Sequence, residues 1–147
     1  MDALDPAKLS QADIDGNFYV VLYKTLLSDP VSRVMIRDVI VLISERLAAG
    51  AVAFNCAAGK DRTGVIAMLL LLAAGVDNTD IIADYQVSDT YITHIWPEHR
   101  TNPSSKSVYM AELLDFMHET YTDIDGYFTQ IGVAREQTDA IRRAMLA

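Results

Sequence analysis

A single short apolar run, Ala-Val-Ala-Phe-Asn at residues 51–55, places the strongest restriction on the fold. Its length and its position between Gly50 and Cys56 are typical of a buried strand of the parallel kind. One strand cannot satisfy the hydrogen-bonding groups of its own backbone, so it needs neighbours. We therefore expect an α/β fold that is mostly helical in this chain, and we expect the chain to be the C-terminal part of a larger domain.

Apolar residues recur at helical spacing through most of the remaining sequence. Asp29 and Pro30 are typical of the start of a helix. Gly50 and Gly75 are typical of the ends of helices. A polar loop is predicted at 97–103. The predicted helices cover residues 11–28, 63–74, 104–121, about 123–131 and 135–146. A further helix is predicted from Pro30 to Gly50, and another is capped by Asp77 or Asn78 and ended by Trp96-Pro97.

The composition predicts one domain over residues 1–147 and excludes several classes of protein. Twelve Lys and Arg against 20 Asp and Glu give a net charge of −8, which argues against binding nucleic acid or anionic membranes. No 18-residue apolar run and no basic leader is present, so we expect a cytoplasmic protein that does not insert into membranes. Secretion stays open if the N-terminus is truncated. The single cysteine, Cys56, excludes a disulfide scaffold and a multi-cysteine zinc site.

The stretch that indicates chemistry is Asn-Cys-Ala-Ala-Gly-Lys-Asp-Arg-Thr-Gly at residues 55–64, between the predicted strand and a predicted helix. The pattern C-x2-G-K-x-R-[ST]-G fixes six positions, and its chance occurrence in such a chain is on the order of one in 10^5. A Walker A loop does not fit, because Phe54 stands where glycine is needed and Asp61 follows Lys60. The plainest alternative, a buried cysteine beside an ordinary turn, does not explain the basic residues and the glycines.

Physically, the loop predicts a cradle for a dianion, made of backbone N–H groups at a helix N-terminus. Arg62 can fork two phosphate oxygens, and the thiolate of Cys56 at the base of the cradle would have a pKa lowered to roughly 3.5–7.5. The Thr63 hydroxyl can donate to the sulfur, which would face phosphorus as a nucleophile. The expected phosphate-binding residues are Ala57, Ala58, Gly59, Lys60, Asp61, Arg62 and Thr63.

Residues 50–95 resemble the Cys-x5-Arg protein tyrosine phosphatase superfamily, and within it the bacterial atypical group with a His-Cys-x-Ala-Gly-Lys-Asp-Arg-Thr-Gly loop. The segment Asp-Ile-Ile-Ala-Asp-Tyr at 80–85 is also similar to that group. The resemblance implies a phosphotyrosine-phosphatase-like fold, Cys56 as the nucleophile that forms a cysteinyl-phosphate, and Arg62 as the group that stabilises the transferring phosphoryl. It implies no metal and no organic cofactor. Members of the group act on phosphotyrosine, sometimes phosphoserine or phosphothreonine, and some on phosphoinositides.

This sequence departs from the group at two points. Asn55 stands where the group usually has histidine, and the group's domains extend further at the N-terminus. The resemblance implies that this upstream region carries most of the sheet and a candidate general acid. We therefore expect a partner chain or a second copy to be able to complete the sheet.

The proton for the leaving group has several candidate sources. Asp61 inside the loop is the first, although it could instead orient Arg62 or face solvent. Asp13, Asp15 and Asp29 are upstream alternatives. Lys60 either favours polyanionic substrates or is simply solvated.

The predicted function is hydrolysis of a phosphomonoester, most simply of a phosphotyrosine protein, with dual-specificity or phosphoinositide substrates left open. One alternative is a non-catalytic phosphate-binding protein or an inactive fragment. Another is sulfur transfer or arsenate reduction, although arsenate reduction needs a resolving thiol from outside a chain with one cysteine.

Overall fold

The computed structural model describes residues 18–95 and 106–146. Within these ranges the chain forms seven α-helices. In chain order they are α1 (Phe18–Ser28), α2 (Pro30–Leu47), α3 (Asp61–Ala74), α4 (Asn78–Ile95), α5 (Ser107–Tyr121), α6 (Ile124–Ile131) and α7 (Arg135–Met145). The predicted helical residues 11–17 and the predicted loop 97–103 lie outside the described residues.

The prediction of a strand at 51–55 is wrong for the described part of the chain, in which no β-strand is present. A strand is defined by a ladder to a neighbour, and the other described elements are helices whose backbone groups are already paired internally. The alternation expected of a strand is nevertheless visible. Val52 and Phe54 pack against the helical core, whereas Ala51, Ala53 and Asn55 are exposed. The expected α/β class is thus not found among these residues.

The helix boundaries follow the local signals read from the sequence. Asp29 caps α2 by accepting a hydrogen bond from the Ser32 N–H at 2.8 Å, and Pro30 occupies the first turn. Gly75 ends α3 with φ = 81°, a left-handed conformation that favours glycine. Gly50 does not cap α2, since the cap residue is Ala48 in a right-handed conformation.

Helix α3 lies at the centre of the bundle, in contact with α1, α4, α6 and α7. Arg142 of α7 fixes its C-terminal end, because the Nε donates to the Ala73 carbonyl at 2.8 Å while the guanidinium pairs with Asp125 at 2.9 Å. The helix is therefore held firmly, and its first turn has a defined position at the opposite end. The buried residues of α3 are Val65, Met68, Leu69, Leu70 and Ala73.

The described helices give no candidate for a membrane span, since none of them combines sufficient length with sufficient apolarity.

Candidate active site

The segment after Phe54 turns sharply into the first turn of α3. Gly59 has φ = 67°, in the left-handed region that residues with a Cβ rarely adopt. No heavy atom lies within 4 Å of the position that a Cβ would take there. Glycine is therefore required by the backbone conformation, because a Cβ would meet no steric clash. The Gly64 N–H then donates to the Lys60 carbonyl at 2.7 Å and starts the helix. The loop of residues 56–60 thus delivers Cys56 to the head of the central helix.

The thiol of Cys56 is surrounded by hydrogen-bond donors. Partial burial raises its pKa, but the Thr63 hydroxyl and the N–H groups of Thr63, Ala58 and Gly59 stabilise the thiolate, and the net effect lowers the pKa from 9.0 to about 7. The Thr63 oxygen also accepts from the Cys56 N–H at 2.9 Å. One threonine therefore orients the cysteine backbone and stabilises its sulfur, so that much of the thiol is ionised near neutral pH.

Lys60 is buried, with 7% of its surface exposed, so neither the solvated lysine nor the open contact with a polyanion that the sequence suggested is found. Its Nζ lies 3.5 Å from Oδ1 of Asp61 and 4.6 Å from the centre of the Tyr19 ring. The ammonium is thus directed into the protein, where a carboxylate and an aromatic face stabilise its charge.

Asp61 faces the helical core. Its Oδ1 accepts a hydrogen bond from the Tyr23 hydroxyl at 2.6 Å, and the Tyr23 hydroxyl lies 2.6 Å from that of Tyr85. The sequence analysis did not single out Tyr23 as a residue of the site. One signal in the sequence could have pointed to Tyr23. A tyrosine on the buried face of a helix needs a polar partner for its hydroxyl.

Arg62 is exposed and lines a groove between α1, α2 and α3 together with Leu26, Met35 and Ile36. In the described part of the chain no hydrogen bond joins its guanidinium to Cys56. The structure therefore assembles Cys56, Thr63 and the loop amides, whereas no hydrogen bond among the described residues ties Arg62 to the sulfur.

Of the other candidate acids, Asp29 is described and is not part of this assembly. The Asp29 carboxylate caps α2, and its hydrogen bonds to Ser32 lower its pKa. Asp13 and Asp15 lie outside the described residues. Asn55, at the position of the group's histidine, donates from Nδ2 to the Cys56 carbonyl at 3.1 Å.

A search of the described ranges finds no group of three or more His, Cys, Asp or Glu side chains that could hold a metal ion.

A cysteine with a lowered pKa at the head of a helix, in a Cys-x5-Arg loop, defines the class of thiol-dependent phosphatase-like proteins. The chain belongs to the tyrosine phosphatase family, whose model matches residues 2–147.

Two curated relatives are similar to the chain. A tyrosine-protein phosphatase from Nostoc commune is 32% identical over 122 residues, covering 68% of this chain and 42% of the relative. The triple specificity protein phosphatase PtpB from Mycobacterium tuberculosis is 29% identical over 126 residues, covering 68% of this chain and 46% of the relative. The chain thus spans less than half the length of these two relatives.

Proposed function

We propose that the chain carries the nucleophile and phosphate-binding loop of a phosphomonoester hydrolase that acts through a cysteinyl-phosphate. The observation that carries the proposal is the environment of Cys56, where loop amides and Thr63 lower the thiol pKa to about 7. A half-buried thiol with these donors is suited to act as a nucleophile, whereas a cysteine that only fills space needs none of them.

In the proposed reaction the Cys56 sulfur attacks phosphorus, forming an S–P bond as the bond to the leaving oxygen breaks. The leaving oxygen takes a proton from an acid. Water then attacks the cysteinyl-phosphate, which releases inorganic phosphate and restores the thiolate. The amides of residues 57–60 and the Arg62 guanidinium would bind the non-bridging oxygens, where negative charge is concentrated in the transition state.

The acid has two candidate sources, Asp61 and a carboxyl group outside the described residues. Asp61 lies next to the loop, but its Oδ1 already accepts from Tyr23 and faces Lys60. Asp13 and Asp15 remain the upstream alternatives.

The names of the two relatives support a phosphorylated protein, with phosphotyrosine first, as the substrate. A non-catalytic phosphate-binding role is the second candidate, because Asn55 cannot carry the charge that a histidine can.

A pH series tests this proposal. Phosphate release from a phosphotyrosine peptide should rise about tenfold per pH unit below the thiol pKa and level off above about pH 7, because the thiolate is the reactive form. Thr63→Val removes a donor to the sulfur and should move the rising limb to higher pH. Alkylation of Cys56 by iodoacetamide should follow the same curve.

Thr129→Val is the matched control, because that hydroxyl donates to the Asp125 carbonyl on α6 and does not touch the loop. A folded chain that binds phosphate but releases none from any phosphomonoester would establish the non-catalytic role instead.

A further inference from the structure

Three helices meet behind the Cys56 loop through a chain of polar contacts. Tyr23 of α1 is fully buried, and Tyr85 of α4 is 3% exposed. Their hydroxyl oxygens lie 2.6 Å apart, and Tyr23 also donates to Asp61, the first residue of α3, at 2.6 Å. The Tyr23–Asp61–Tyr85 cluster, with Lys60 beside it, therefore joins the loop to helices distant in the sequence.

The direction of these hydrogen bonds follows from the number of protons. The Tyr23 hydroxyl has one proton, which it donates to Asp61, so the hydrogen bond between the two tyrosines is donated by Tyr85. The pKa of Tyr23 lies far above its ordinary value. Burial makes the largest contribution to this rise, and the neighbouring Tyr85 and Asp61 add to it. Tyr23 therefore remains a donor, and Asp61 serves as the acceptor.

The cluster connects to the thiol through Lys60. The Lys60 ammonium lies between the Asp61 carboxylate and the Tyr19 ring, and its carbonyl accepts the Gly64 N–H that starts α3. The preceding residues, Ala58 and Gly59, supply the amides that stabilise the Cys56 thiolate. A side chain that fixes Lys60 therefore also fixes the end of the loop that faces the sulfur.

A separate observation places the Tyr85 ring against the first turn of α3. A Cβ added at Gly64 would lie 2.9 Å from Cδ2 of the Tyr85 ring. The ring is thus seated directly on the first turn of α3, which explains why glycine follows Thr63.

We propose that Asp61 is a positioning residue, which Tyr23 and Tyr85 hold as an acceptor so that Lys60 stays in place and the amides of Ala58 and Gly59 remain aimed at Cys56. Asp61 is then not the general acid, because its Oδ1 is engaged by the Tyr23 hydroxyl and faces the Lys60 ammonium within the protein. On this proposal a group other than Asp61 supplies the proton to the leaving oxygen. This inference rests on the proposed function only for its kinetic consequences, since the position of the amides sets the thiol pKa whether or not the chain turns over.

The test uses four variants of the 147-residue chain and two measurements. The thiol pKa is obtained from the pH dependence of Cys56 alkylation by iodoacetamide. Turnover is compared between phenyl phosphate, whose leaving group needs a proton, and p-nitrophenyl phosphate, whose leaving group does not. Tyr23→Phe keeps the ring and removes the donor. Asp61→Asn keeps an acceptor for Tyr23, whereas Asp61→Ala removes it, and thermal denaturation verifies that each variant is folded.

Tyr127→Phe is the matched control, because the buried Tyr127 hydroxyl has no hydrogen-bond partner among the described residues. We expect Tyr23→Phe and Asp61→Ala to raise the thiol pKa by about half to one unit, the effect of losing one hydrogen bond. Asp61→Asn should raise the thiol pKa by a smaller amount. Its turnover of phenyl phosphate and of p-nitrophenyl phosphate should fall several-fold, by the same factor for both substrates. Tyr127→Phe should match the wild type.

Two results would overturn the inference. A thiol pKa that is unchanged in both Tyr23→Phe and Asp61→Ala would show that the cluster does not position the loop. A loss of about 100-fold or more on phenyl phosphate in Asp61→Asn, with p-nitrophenyl phosphate unaffected, would identify Asp61 as the acid. If the wild type releases no phosphate, the proposed function fails, but the alkylation measurement still decides the role of the cluster.

Discussion

Replacing Cys56 by serine should abolish phosphate release, by at least about four orders of magnitude, the scale seen when a hydrolase loses its nucleophile. The hydroxyl is not ionised near neutral pH, whereas the thiol pKa of about 7 leaves much of the cysteine as thiolate. The loop amides are backbone groups and stay in place, so phosphate should still bind. Phosphate release and phosphate binding by calorimetry measure the two effects separately.

Cys56→Ala serves as the control, because it removes both the sulfur and the hydroxyl. Its turnover should be as low as that of Cys56→Ser. Turnover near the wild-type rate in either variant would contradict the assignment of the nucleophile, since the chain has no other cysteine.

Replacing Arg62 by methionine should lower kcat/KM by about 10^3, the range for loss of a charged group that stabilises a transferring phosphoryl. Arg62→Lys should recover only part of this, because an ammonium cannot fork two oxygens. Methionine retains an apolar stem that can cover the groove beside Leu26 and Met35, so the fold should be preserved. Steady-state kinetics and the affinity for inorganic phosphate give the measurement.

Arg143→Met is a suitable control, because Arg143 is exposed on α7 and does not line the groove beside the loop. Should Arg62→Met keep wild-type kcat/KM, the groove would be the functional location of this side chain, and the loop amides alone would bind phosphate.

Local signals in the sequence were sufficient for some helix ends, although Gly50 does not cap α2. The Asp29-Pro30 start and the Gly75 end depend on residues within one turn, so the sequence contains the whole interaction. The strand predicted at 51–55 depends on a partner elsewhere, and the sequence of the run specifies only which side chains alternate. Val52 and Phe54 keep that alternation without a ladder.

The site shows the same division between local and distant interactions. Cys56, Thr63 and the loop amides lie within eight residues, and their expected contacts appear in the structure. The helical spacing of apolar residues indicated that one face of α1 is buried. It could not indicate that the Tyr23 hydroxyl donates a hydrogen bond to Asp61. The burial of Lys60 follows from that distant contact and from Tyr19. The direction of Arg62 depends on its rotamer, which spacing alone does not determine.

The most direct test of the central claim is to trap the intermediate. The chain is mixed with excess p-nitrophenyl phosphate and quenched before steady state, and the peptide that contains Cys56 is analysed by mass spectrometry. The proposed mechanism predicts one added phosphoryl group on Cys56, formed together with a burst of nitrophenol and absent from Cys56→Ser. Rapid turnover with no burst and no modified cysteine would show that water attacks phosphorus directly, and the cysteinyl-phosphate mechanism would then be wrong.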